Sequence, residues 1–422
     1  MPIPPAIVLA HGVGGRQDLP LTLSQLVIGA ALALVISFAV LGVAWREPRL
    51  DPSAGRPVPD RLARAVDARV TAWVLRVAGL GLAAVLLWSF TRPDTADNPA
   101  AGLVYVLFWV GLVPLSLLFG PVWRRLNPLR TLTAWARPRR ELPESAGYWP
   151  AAAGLFAFAW LELVAPNRAT LPVIGWWLAA YAVVMLAGGI VFGPAWHARG
   201  DAFEVLSDLA GRLAVIGRRP DGRLVFRNPL DGMAGLRPAP GLVAVVVILL
   251  GATFYDALSG APFWLRFTQE NGLPAPVTGT AGLLGVVALV AVAFTVATRQ
   301  AGRRGHTSAE RTPGELAHSI VPIAVGYVVA HYWSLFVLEG QRTVALVLGD
   351  EEFRPYSGII TPTGVANLQV TTIVLGHLVG TVLAHDRALK LFPRAQAVTG
   401  QVPLLALMVA YTVAGLLLLF AG

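Results

Sequence analysis

The 422-residue sequence contains no cysteine. That absence removes disulfides, thiolate nucleophiles, iron–sulfur clusters and zinc–thiolate sites together, and leaves histidine and carboxylate as the side chains able to hold a metal. Charge is scarce as well: 14% of residues are Asp, Glu, Lys or Arg, against roughly a quarter in ordinary soluble chains. Lysine is almost missing, since Lys390 is the sole lysine among 33 basic residues. Such a bias fits a GC-rich bacterial genome. The chain also lacks a phosphate-binding glycine loop, a GxSxG elbow and an HExxH helix, which argues against catalysis by a soluble domain.

What the sequence has in abundance is apolar length. Hydrophobic residues make up 55% of it, and runs near the roughly 20 residues needed to cross about 30 Å of hydrocarbon occur ten times. They cover 23–45, 72–90, 103–122, 149–165, 173–192, 241–257, 280–298, 316–338, 368–386 and 402–420. The expectation is an all-α fold: a polytopic transmembrane helix bundle, one domain over 1–422, with the lipid bilayer as its main partner and no nucleic acid.

Lysine and arginine orient the spans. Alternate loops (46–71, 123–148, 193–240, 299–315 and 387–401) hold 26 of them and the other side holds six, with Arg76 inside a span. Positive loops stay in the cytoplasm, so both termini are expected outside, in a bacterial plasma membrane. The net charge of +9 is then a topology signal.

Two of the basic loops begin alike, with Phe119-Gly120-Pro121-Val122-Trp123 and Phe192-Gly193-Pro194-Ala195-Trp196, and each later reaches an Asn-Pro-Leu, at Asn127 and at Asn228. A parallel duplication of spans two and three onto four and five would produce this pattern, a device known in transporters. The plainer reading is that Gly-Pro ends a helix and Trp anchors at the interface. Within 193–240, Ala202, Leu206, Leu209, Leu213 and Ile216 recur at helical spacing opposite Glu204, Asp208 and Arg212, which predicts a short amphipathic helix on the inner membrane surface. Pro220-Asp221-Gly222 reads as a turn between two extended pieces.

Ionisable groups inside spans are costly and mark interior or water-filled sites. The outer set is Glu162, Asp256, His331 and Glu339, with His377 near mid-span; the inner set is His318, His385 and Asp386. His331 stands about 20 Å above His318 and His377 about 12 Å above His385, at 1.5 Å per residue. Helix tilt is therefore needed to bring His331 and His377 level. Neutral imidazoles with a carboxylate suit Zn²⁺ or Cu²⁺; the histidine spacings fit a pair of stacked haems poorly. Near the N-terminus, His11 would gain a free amine if cleavage followed Ala10, where Val8 and Ala10 have signal-peptidase spacing. Amine and imidazole together would chelate copper. The alternative is a glycine-rich turn over the bundle.

Taken together, His11-Gly12 through Pro20, His318-Ser319-Ile320-Val321-Pro322, Ala330-His331-Tyr332, Gly340-Gln341, Gly376-His377, Ala384-His385-Asp386-Arg387 and the paired loop motifs resemble a family of actinobacterial polytopic proteins labelled fenitrothion hydrolase. The resemblance implies a membrane-embedded hydrolase of organophosphate-type esters and supplies no residue roles. On depth and chemistry, His331, His377, Asp256 and His11 would bind the metal and Glu162 or Glu339 would serve as general base toward a metal-bound water. The alternative is a permease for a metal ion or small solute, with the outer and inner histidines as two gates. A non-catalytic subunit of a larger membrane assembly is a third reading.

Overall fold

A computed structural model describes residues 21–358 and 360–420. Among them, nine helices are long and apolar enough to cross a bilayer, and the chain is an all-α polytopic bundle. The remaining expected span, 149–165, forms the helix Trp149–Leu163, whose 15 residues reach only about 22 Å at 1.5 Å each. The span Gly102–Phe119 begins as a π-helix, Gly102–Val110, and continues as α-helix around Pro114. The Arg69–Ser89 span has 6% of its apolar window buried inside the protein, so hydrocarbon is the medium that solvates the rest favourably.

By contact, the chain falls into two compact units. Of the described residues, the first comprises Ser53–Gly232 and 332–358; the second comprises 21–52, Met233–His331 and 360–420. The boundary at 331/332 lies within the long helix Val321–Val347.

In the first unit, the two loops that open with Phe-Gly-Pro do not stay on the surface. After Phe119 the chain turns at Gly120 (φ 79°, ψ −160°), and after Phe192 it turns at Gly193 in nearly the same conformation (φ 65°, ψ −148°). Positive φ makes glycine the residue that does this without strain. Each turn sends a short helix back into the bundle, Trp123–Leu126 in one case and Pro194–Gly200 in the other. Each then reverses, at Asn127 and at Asp201, into Pro128–Leu132 and Ala202–Gly211.

The depth of these hairpins follows from what they touch. A Cβ at Gly79 would collide with the Leu126 carbonyl, and Gly79 is the central residue of Arg69–Ser89, with ten residues on either side. The Tyr181 hydroxyl donates to Asp201 Oδ1 at 2.9 Å, and Tyr181 has ten residues before it and eleven after it in Leu171–Phe192. Both hairpin tips therefore lie beside span midpoints, about 15 Å from the helix ends. Backbone of this kind survives at membrane depth where protein buries it or a water-filled cavity adjoins it.

The Ala202–Gly211 helix consequently departs from expectation. Its pattern predicts a surface amphipathic helix, but every residue except Asp208 is buried. Its inward face packs Phe203 against Phe158 at 5.1 Å and Phe108 at 4.6 Å. On its polar side Glu204 is buried against Arg130 at 2.7 Å, while Asp208 stays partly exposed and pairs with Arg212 at 2.9 Å. The extended pieces on either side of Pro220-Asp221-Gly222 are Ile216–Arg218 and Leu224–Phe226. They pair antiparallel, with Arg56–Pro57 on the other edge of Leu224–Phe226.

In the second unit, Tyr327 and Ala330 of Val321–Val347 share a core cluster with Ala30, Ala257, Ile373 and Leu416 from Leu23–Ala44, Leu242–Ser259, Pro362–Leu391 and Val402–Leu419, and Ala275–Arg304 packs on Leu242–Ser259, where a Cβ on Gly251 would meet Val287 at 2.9 Å. Val321–Val347 and Pro362–Leu391 run antiparallel in close contact: a Cβ on Gly376 would lie 2.7 Å from the Pro322 oxygen, and one on Gly380 would lie 2.6 Å from that of Ser319. Small residues at this spacing let two backbones approach.

Candidate functional site

The first unit gathers its polar groups at the hairpin tips. Asn127 caps its own helix, accepting from Leu129 N and Arg130 N at 3.0 and 3.1 Å. Its amide nitrogen donates to Asp201 Oδ2 at 2.8 Å. Asp201 caps Ala202–Gly211, accepting from Phe203 N and Glu204 N at 2.9 Å each through Oδ1, which also takes the Tyr181 hydroxyl. One turn before Asp201, His197 Nε2 lies 2.9 Å from Thr133 Oγ1. Thr133 Oγ1 donates to the Leu129 carbonyl at 3.0 Å, so the ring N–H donates to the hydroxyl. The other ring nitrogen, Nδ1, is buried with no hydrogen-bond partner among the described residues. Asn127, His197 and Asp201 are each 1% exposed.

The second unit joins two of the predicted site residues. His331 Nε2 lies 2.8 Å from Asp256 Oδ2, with side-chain exposures of 11% and 9%. The Tyr327 ring stacks on His331 at 5.7 Å and 22°, fixing the imidazole plane against Asp256. His377 does not join them. The contacts of Gly376 and Gly380 set a register that places His377 beside residues 322–323, about two turns or 12 Å along the helix from the level of His331. Tilt does not bring the pair level. His377 Nδ1 instead donates to the Ile373 carbonyl at 2.8 Å, leaving Nε2 as a buried acceptor with no partner among the described residues.

The inner set is a lock on the loop that follows Leu23–Ala44. Asp386 Oδ1 accepts from Arg49 N at 2.6 Å, Leu50 N at 3.1 Å and the Trp45 indole at 3.3 Å, while Oδ2 meets Lys390 at 3.1 Å. His385 Nε2 donates to the Trp45 carbonyl at 3.0 Å, and Gln401 donates to its Nδ1 at 3.1 Å. Both ring nitrogens of His385 are thus used. His318 lies within about one turn of this level, 2% exposed.

No family, no curated protein and no solved structure matches this chain.

Among the described residues, no three His, Asp or Glu side chains are placed to share a metal ion. Of the residues expected to bind a metal, Asp256 and His331 are brought together and His377 is not; His11 lies outside the described residues. Glu162 and Glu339 belong to the first unit. Glu339 sits 4.0 Å from Arg342, which also pairs with Asp97 at 3.0 Å, and Glu162 is half-buried near the end of Trp149–Leu163.

Sequence reading identified Asn127 only as part of a repeated motif, and it did not single out Asp201, Tyr181 or His197. The repeat of Phe-Gly-Pro-x-Trp was the available signal. Read as a turn back into the membrane, it would have directed attention to the first capping residue after each pentad.

Proposed function

We propose that the protein is a multi-pass permease for a small solute, with the two hairpin tips of the first unit forming the mid-membrane part of its path. The observation that carries this reading is the Asn127–Asp201 hydrogen bond beside the midpoints of two spans. Broken helices meeting at the bilayer centre present capping side chains and backbone ends where continuous helices would present hydrocarbon, and transporters hold solutes with such elements. The aromatic layer of Trp109, Phe158, Trp177 and Phe203 would form the constriction next to it. The test is uptake by proteoliposomes of the full chain, with a panel of small neutral and charged solutes. Transport above protein-free vesicles that falls in Asn127→Ala supports the reading; no solute moving faster than through lipid alone would falsify it.

A second reading is favoured by the Asp256–His331 pair. A carboxylate holding one imidazole nitrogen orients the ring as a general base, and the saturated bonds of His385 and Asp386 give the inner set a holding role. A hydrolase facing the side opposite the arginine-rich loops would use this pair, in line with the organophosphate-type esters that the resemblance implies. Ester hydrolysis by the purified protein that disappears in both His331→Ala and Asp256→Asn separates it from the permease, whose uptake does not need hydrolysis.

A further inference from the structure

Charge at the hairpin tips does not balance. Asp201 and Glu204 supply two carboxylates and Arg130 one guanidinium. Arg130 is committed to Glu204 at 2.7 and 3.0 Å, and Asp201 has no cation within ion-pair distance among the described residues. Apart from the Glu204 carboxylate three residues on, which adds like charge, the groups that face Asp201 are neutral: the Tyr181 hydroxyl, the Asn127 amide and two backbone N–H groups. A lone negative charge at this depth is expensive. Hydrogen bonds and the N-terminus of Ala202–Gly211 reduce the cost, and a single positive charge would remove it.

The second observation is independent of the carboxylates. His197, four residues earlier on the same hairpin, holds Nε2 to Thr133 and leaves a buried Nδ1 lone pair with no partner among the described residues. A lone pair in that state accepts a proton or a cation. A Cβ on Gly189 would lie 2.6 Å from His197 Nε2 and 2.9 Å from Thr133, so the ring is tightly packed on its Thr133 side. A proton adds no volume and is the positive ligand assigned here, and the Arg130 guanidinium, which opposes positive charge on the ring, favours its onward release.

We propose that Asp201 and His197 form a proton site in the second hairpin, exchanging a proton between mid-bilayer and the arginine-rich face. The claim rests on the permease reading and names its coupling ion. In the transfer, the Asp201 O–H bond breaks and the His197 Nδ1–H bond forms through bridging water, giving carboxylate and imidazolium. The imidazolium then releases its proton to water at the arginine-rich face. No electrons are exchanged, and the Arg130–Glu204 pair keeps its charges.

The test is infrared difference spectroscopy of the full chain in lipid vesicles between acidic and alkaline buffer. The expected result is a carbonyl stretch of a protonated carboxyl that is lost in Asp201→Asn and whose pH midpoint moves in His197→Gln. Asparagine caps helices as well as aspartate does, so Asp201→Asn keeps an oxygen for the Phe203 and Glu204 N–H groups and gives up the bond from Asn127. A spectrum of Asp201→Asn identical to that of the unsubstituted protein overturns the proposal, and an unmoved midpoint in His197→Gln removes His197 from it. The two readings fail separately: a protein that shows the band but moves no solute loses the permease function and keeps the proton site, whereas one that transports without the band loses the proton site alone.

Discussion

The Asn127 amide donates to Asp201 Oδ2 at 2.8 Å, tying together two segments separated by 74 positions in sequence at the point where each reverses direction. Asn127 also caps Pro128–Leu132, so its side chain fixes both the local turn and the partner hairpin. Replacing it by alanine removes a bond to a buried carboxylate and a helix cap, which together cost about 2–5 kcal/mol. A clear fall in the thermal unfolding midpoint in detergent is expected. Asn127→Asp should be worse than Asn127→Ala, because it replaces the N–H that donates to Asp201 Oδ2 with a second acidic oxygen; equal midpoints would count against the contact.

Gly79 tests the depth of the first hairpin. A Cβ there meets the Leu126 carbonyl, whereas a Cβ at Gly81 meets nothing within 4 Å. Gly79→Ala should cost about 1–3 kcal/mol by overpacking, and Gly81→Ala should be neutral or slightly stabilising, since alanine is the better helix former. The comparison uses one helix and one substitution, so similar midpoints for the two variants would show that the hairpin does not reach this level.

How far the fold was legible in the sequence depended on what determined each element. Span existence follows from apolar length, and the helices Leu23–Ala44, Leu171–Phe192 and Val402–Leu419 lie close to the runs that predict them. The hairpins were not legible because their determinants are contacts: Phe203 reads as one more apolar residue on an amphipathic helix until Phe158 and Phe108 surround it. Asp256 and His331 were both chosen for depth, and depth sufficed because they end up level on helices that run in the same direction. His377 was chosen on the same ground and failed to join them, because register between Val321–Val347 and Pro362–Leu391 is set by Gly376 and Gly380, which sequence depth does not reveal.

The inner lock predicts a structural phenotype without loss of the outer pair. Asp386→Asn keeps an acceptor for Arg49 N and Leu50 N but drops the charge that holds Lys390, whereas Asp386→Ala leaves the two backbone N–H groups without their acceptor. The alanine variant should lose about 1–3 kcal/mol more than the asparagine variant. Limited proteolysis should cut near Arg49 faster in the alanine variant, and equal cutting rates would contradict the assignment.

The Asp256–His331 pair can be separated from simple packing by a double-mutant cycle. His331→Ala removes the imidazole and leaves a nearly buried carboxylate without it, and breaking a buried pair in this way costs about 3–5 kcal/mol. Asp256→Asn removes the charge but retains a hydrogen-bonding group, so its cost should be smaller. If the pair acts as a unit, the double variant is less destabilised than the sum of the two single ones, because the second substitution no longer has an interaction to break. Unfolding midpoints of the four proteins measure this directly. Strict additivity would mean that Asp256 and His331 are held in place by Tyr327 and their other neighbours independently of each other, and the general-base reading of the pair would lose its structural basis.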